Sequence, residues 1–164
     1  MKNCLLAISL LVLFLSCNEN TKAKIESSAL ISDTQELKEA IEKAQPGDNI
    51  ILKNGVWKDV KIKFRGKGTK DNPITLKAET AGKVIIEGES YLKFGGEYLV
   101  VDGLHFKNGF SPSSAVVDFK ISHKDTLDEI AYHCKLTNSV IEDFNKPKRD
   151  NSDLWVQFWG RHNE

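Results

Sequence analysis

The sequence predicts an all-β chain wound as a parallel β-helix, with one capping helix at its start. Three observations carry this reading. Beyond residue 48 the chain is a succession of short runs rich in Val, Ile, Phe and Tyr, cut by Gly, Asn, Asp and Pro, without helical periodicity. One amphipathic helix precedes them, where a solenoid needs a cover for its apolar end. Neighbouring runs are joined by one or two residues of types that tolerate the left-handed backbone of a sharp corner. An antiparallel sandwich or barrel also uses many short strands, but the cap and the tight corners favour the solenoid.

The helix starts at Asp33, an N-cap with Glu36 three positions on. Leu37, Ala40, Ile41 and Ala44 recur at helical spacing, and Pro46-Gly47-Asp48 turns the chain out of it. The β-rich runs that follow cover 49–53, 59–64, 74–77, 84–87, 91–94, 98–101, 104–107, 115–121, 134–137, 140–144 and 154–158. Hairpin-type Asn-Gly pairs are few, at Asn54-Gly55 and Asn108-Gly109. The segment 98–106 bends at Asp102-Gly103, and 135–141 repeats the pattern with Asn138 in the place of Gly103. These two segments are expected as successive layers, with 111–124 looped out between them.

Inward and outward residues alternate in such a coil. Val60, Ile62 and Phe64 are expected to point inward, and Lys61, Lys63 and Arg65 to form an outward basic row. That row is either a solvated face that resists aggregation or a contact for an acidic polymer.

Residues 1–16 read as an export signal. Lys2 supplies a positive start, and the apolar run from Leu5 to Leu15 is too short to span a bilayer as a helix. Ser16-Cys17 after that run resembles a lipoprotein signal, with cleavage before Cys17 and lipidation of its thiol. The plainer alternative is an ordinary secretory signal. Residues 17–32 then serve as a tether, and residues 33–164 form the coils. The chain is expected in the periplasm or on the bacterial surface, touching membrane only through its anchor. Of three Cys, Cys4 and Cys17 belong to the signal, so Cys134 has no internal disulfide partner and reads as a buried, inert thiol.

Lys and Arg number 23, as do Asp and Glu, so overall charge points to no nucleic-acid partner. Arg161 and His162 are the leading candidates for contact with sugar carboxylates, because Arg can hold a carboxylate bidentately. The alternative is a structural turn. Glu87, Glu89, Asp102, Glu142 and Asp143 are oxygen donors, but no spacing among them predicts the convergence that calcium requires. His105, His123 and His133 show no metal-ligand spacing. Trp57, Trp155 and Trp159 could stack on sugars, although core packing is the default.

The opening from Gln45 to Leu52, with Asn54-Gly55-Val56-Trp57 and the later run from Asp71 to Glu79, resembles the start of extracellular polysaccharide lyases. The stretch from Ile141 to Pro147, then Asp150 and Asp153-Leu154-Trp155-Val156, ending Trp159-Gly160-Arg161-His162-Asn163, is similar to polysaccharide lyase family 6, the alginate lyase and chondroitinase B family. The resemblance runs from about Asp33 to Glu164. It implies a right-handed, pectin-lyase-like parallel β-helix and cleavage of uronic-acid polymers by β-elimination. In the family, calcium held by Asn and Glu neutralises the substrate carboxylate, a Lys takes the C5 proton, and an Arg assists the leaving oxygen. Those motifs lie beyond the Trp-Gly-Arg-His-Asn segment, so no catalytic or metal-binding residue is carried onto this chain.

The sequence breaks off in mid-stack, and the expectation is the N-terminal part of a longer, calcium-dependent lyase, inactive alone. Alginate is the leading substrate and a dermatan-type glycosaminoglycan the second. The rival is a non-catalytic β-helix protein that binds glycans at the cell surface.

Overall fold

The computed structural model describes residues 28–124, 126–148 and 154–164. The residues read as a leader, 1–16, the expected lipidation site Cys17 and residues 18–27 of the expected tether lie outside the described residues, as do Asp150 and Asp153. The end of the expected tether, residues 28–31, belongs to the fold. Ser28–Ile31 is strand β1, paired in parallel with β2 (Asn49–Leu52), and Ile31 is buried in the core.

The capping helix α1 (Thr34–Lys43) begins as expected: Asp33 Oδ1 accepts from the backbone N–H groups of Gln35 and Glu36 at 2.8 and 2.9 Å. The reciprocal contact of Glu36 is one residue displaced, to the N–H of Ser32 at 2.8 Å. Leu37 and Ile41 are the buried face, packed towards β1, β2 and β4 (Lys61–Lys67).

Beyond the helix, each coil lays one strand on each of three sheets. Sheet A takes β1, β2, β5 (Ile74–Ala78), β8 (Leu99–Asp102) and β12 (Lys135–Thr137). Sheet B takes β3 (Gly55–Lys58), β6 (Val84–Glu89), β9 (Leu104–Phe110) and β13 (Val140–Ile141). Sheet C takes β4, β7 (Tyr91–Glu97), β10 (Ala115–Asp118) and β14 (Leu154–Gln157), with the two-residue β11 (Ala131–Tyr132) also on β7. The paired strands run parallel, the arrangement of a parallel β-helix.

The predicted layering holds. Leu136 pairs with Val101, and Ile141 with Phe106. The corner between them has φ of +78° at Gly103 and +48° at Asn138. Asn54-Gly55 is such a corner and not a hairpin, because β3 follows it on the next sheet of the same coil. Segment 111–124 is only partly looped out. It contains β10, which pairs with β7 and β14. The true excursion, residues 120–124 and 126–130 among those described, folds back over the outside of sheet C. A Cβ at Gly95 would meet the Ile121 side chain and the Asp128 carbonyl, so the loop lies directly on β7.

Inside the stack the same residue class recurs at the same register. Ile62, Leu92 and Val117 form one inward row. Phe64, Phe94, Phe119 and Phe158 form another, with ring centroids 6.2, 4.5 and 4.5 Å apart. Phe106 meets Phe144 edge-on at 5.7 Å. Cys134 is fully buried and free, and burial pushes its thiol up to about 11, which makes it inert at neutral pH.

Candidate functional site

The two residues singled out for sugar contact sit at a corner between sheets C and A. His162 has φ of +57°, as Tyr98 and His133 have +50° and +52° at the equivalent corners of earlier coils. Their rings form a column: Tyr98 on His133 at 4.7 Å and 2°, then His133 on His162 at 4.7 Å and 9°. Holding non-glycine residues at positive φ costs about 1–3 kcal/mol each, and ring stacking offsets part of it. Arg161 bridges to Tyr132 through its backbone, with its carbonyl accepting from the His133 N–H at 3.1 Å. Asn163 locks the corner by accepting from the Cys134 N–H and donating to Ala131 O, both at 2.8 Å. The Arg161 and His162 side chains remain exposed.

Sheet B carries a second polar cluster. His105 Nε2 and Lys107 Nζ both lie 2.8 Å from Glu142 Oε1. Lys107 and His105 hold the Glu142 carboxyl below the usual carboxylate range, and Glu142 in turn raises Lys107. The cluster is internally satisfied and sits on an open face.

The outer face of sheet C carries the basic row. Lys61, Lys63 and Arg65 point outward, and Val60, Ile62 and Phe64 inward, as the alternation predicts. The basic row then divides. Arg65 pairs with Glu129 at 3.1 Å and Lys67 with Asp128 at 2.8 Å, both acids coming from the excursion. Lys61 and Lys63 have no ion pair among the described residues. Lys63 is in register with Lys93 on β7, and Lys93 with Asp118 on β10, which is in register with Gln157 on β14.

Beside that rung lies a cavity of about 270 Å³, lined among others by Lys93, Asp118, Lys120, His123, Gln157 and Trp159. Asp118 is buried; its Oδ2 is 3.4 Å from Ser114 Oγ, and among the described residues its Oδ1 has no hydrogen-bond partner. Burial raises the Asp118 carboxyl, against the opposing pull of Lys93. Lys120 Nζ stands 4.5 Å over the Trp159 ring. Sequence reasoning missed Lys93, Asp118 and Lys120. The signal was the alternation within 115–121, which turns Asp118 outward once Val117 is inward. A larger cavity, about 1000 Å³, lies between α1 and β4, lined by Leu37, Ile41 and Ile62 together with Lys38, Lys61, Lys63 and Arg65.

Among the described residues no group of three or more His, Cys, Asp or Glu converges as a metal site. Glu87, Glu89, Asp102, Glu142 and Asp143 do not come together, so this donor set does not fit calcium. Asp102 is engaged with Thr137 and Asn138 at 2.8 and 2.6 Å, and Glu142 with its two cations.

The architecture, three parallel sheets wound coil on coil behind a capping helix, is that of a parallel β-helix protein. The chondroitinase B family model matches residues 31–164, and the chain belongs to that family, polysaccharide lyase family 6. Among solved structures, the PL6 family alginate lyase AlyGC is 40% identical with a TM-score of 0.78, over 84% of this chain and 18% of that one. The PL6 family polysaccharide lyase Pedsa3628 from Pseudopedobacter saltans is 42% identical with a TM-score of 0.72, over 82% and 29%. A mannuronic acid specific family 6 lyase from human gut microbiota is 30% identical with a TM-score of 0.72, over 84% and 32%. The chain thus spans less than a third of the length of each of these three relatives. No curated sequence matches it.

Proposed function

We propose that this chain serves a polysaccharide lyase that cleaves a uronic-acid polymer by β-elimination, with alginate the first substrate to test and dermatan-type glycosaminoglycan the second. The observation that supports this is the family match over residues 31–164, together with 40% and 42% identity to PL6 lyases. The reaction removes a very weakly acidic C5 proton, so it needs a neutralised substrate carboxylate, a base near neutral pKa and a donor to the leaving oxygen. The described residues supply cationic contacts for the polymer. They do not supply a calcium site. The experiment is incubation of the protein at its full encoded length with alginate while following the absorbance of unsaturated uronate ends, because residues 1–164 alone are expected to be inactive. No absorbance with any uronic polymer, with or without calcium, rejects the lyase reading.

A second reading is a glycan-binding β-helix without catalysis. It is favoured by one observation: the described residues hold cations and aromatic rings on open faces but no converged metal set. Binding without product would select it. Export and anchoring through Cys17 belong to the same proposal, placing the chain at the bacterial envelope where such polymers arrive. Loss of lipid labelling in Cys17→Ser would support the anchor, and labelling retained in that variant would reject it.

A further inference from the structure

We propose that the groove between α1 and β4 binds an anionic lipid of the bacterial envelope, with its acyl chain on the apolar floor and its headgroup on Lys61 and Lys63. The inference rests on the proposed placement of the chain at the envelope, and it is independent of any elimination chemistry.

The groove joins two chemistries. Its floor is apolar: Leu37 and Ile41 come from the helix, and Val60 and Ile62 from the opposite wall. Its volume of about 1000 Å³ stands at the top of the range of roughly 300–1,000 Å³ for small-molecule sites. Its rim is basic. Lys38, Lys61 and Lys63 are exposed there, and none has an ion pair among the described residues. Arg65 is on the rim as well, but Glu129 already neutralises it. The acid among the described lining residues is Glu42, four positions after Lys38 on the helix, and it offsets that one cation. Lys61 and Lys63 remain, on one face of β4. Tyr91, in register with Lys61, completes the wall. Burial pushes its phenol up, so it stays a neutral donor.

Lysines along a strand with one free side also blunt that edge against pairing. Edge protection does not call for an apolar cavity beside them, and a polar sugar chain has no use for one. An anionic headgroup on an acyl chain uses both parts. Position is the second argument. The helix packs on β1, and eleven positions separate Cys17 from Ser28, the first residue of β1. A chain of that length reaches about 40 Å at most. An anchor at Cys17 therefore keeps the helix end of the stack within that distance of the bilayer. Anionic headgroups there attract each lysine that comes near the surface.

The test uses the protein at its full encoded length carrying Cys17→Ser, so that no acyl chain of its own contributes. It is sedimented with vesicles of phosphatidylcholine alone, and of phosphatidylcholine and phosphatidylglycerol in equal parts. Binding is expected to be stronger to the anionic vesicles and to fall as salt is raised. Lys61→Gln and Lys63→Gln are each expected to weaken that binding about fivefold. Thr34→Trp, which places a ring in the mouth of the groove without changing charge, is expected to weaken it as well. Lys70→Gln, on an exposed turn, is expected to leave it unchanged. Circular dichroism verifies folding, and if Thr34→Trp does not fold, the two lysine variants carry the test. Equal binding to both vesicles, or binding indifferent to Lys61 and Lys63, overturns the site. So does a dimer in sedimentation velocity that Thr34→Trp breaks, which would assign the groove to a second copy. Alginate held through the same lysines, with the anionic vesicles ignored, overturns it too. Lipid labelling of the unsubstituted protein is read separately. Vesicle binding through Lys61 and Lys63 without labelling upholds the groove and rejects the anchor. Labelling with binding indifferent to both lysines does the reverse.

Discussion

Sheet C has two faces built from the same strands, and they have opposite economies. Its inward ladder, Phe64, Phe94, Phe119 and Phe158, is apolar and stacked coil upon coil. Its outward rung, Lys63, Lys93, Asp118 and Gln157, is polar and incompletely paired. Strand alternation produces both faces from one run of residues. The inward face holds the stack together by burial, whereas the outward face carries charge, part of it paired across coils by Glu129 and Asp128. The difference teaches that stability and ligand contact are separated by one residue of register.

The largest expected effect breaks the inward ladder. Phe94 touches rings on both sides and is fully buried, so Phe94→Ala is expected to cost about 3–5 kcal/mol in urea unfolding. A loss under about 1 kcal/mol would mean that the ladder is not the core. Next is Gly96, where φ is +110° and a Cβ would collide with the Gly66 carbonyl oxygen of the coil below. Gly96→Ala is expected to cost about 1–3 kcal/mol, measured the same way.

The outward face is sharpened by comparing two halves of β4. Arg65→Ala leaves the buried Glu129 without its cation, and about 1–2 kcal/mol is expected once the half-exposed guanidinium is discounted for solvent screening. Lys63→Gln is expected to change stability by no more than about 0.5 kcal/mol, since no described partner is lost. Equal losses would show that Lys63 has a structural partner.

The smallest effect is in pH. Burial raises the folded-state carboxyl of Asp118 above its unfolded value of about 3.9. The native state therefore holds its proton longer than the unfolded chain does. That contribution is fully present at low pH and is lost as pH rises through the folded value. Asp118→Asn is expected to remove a contribution that falls as pH rises, so the variant is expected to gain stability relative to the parent chain between acid and neutral pH. A difference that is flat in pH, or that runs the other way, would contradict the burial argument.

Much of the stack was legible in the sequence because corners and alternation are local. Gly103 and Asn138 announce the same bend through the same backbone tolerance, and the segments around them are layered as expected. Alternation in 60–65 separated core from surface correctly. The same local chemistry misled at Asn54-Gly55, since positive φ serves a hairpin and a solenoid corner alike. β11 has two residues, too few for any periodicity. The column of Tyr98, His133 and His162 was hidden because three coils use different residues, unevenly spaced, for one corner. The division of the basic row depends on Glu129 and Asp128 reaching back across more than sixty residues, which no local pattern reveals.

The most direct test of the two-faced sheet is residue-resolved hydrogen exchange of the chain alone. The account predicts slow exchange in β7, whose strand carries Phe94 in the ladder and pairs with β4 and β10, and faster exchange in residues 122–124 of the excursion. Exchange in β7 as fast as in residues 122–124 would contradict it.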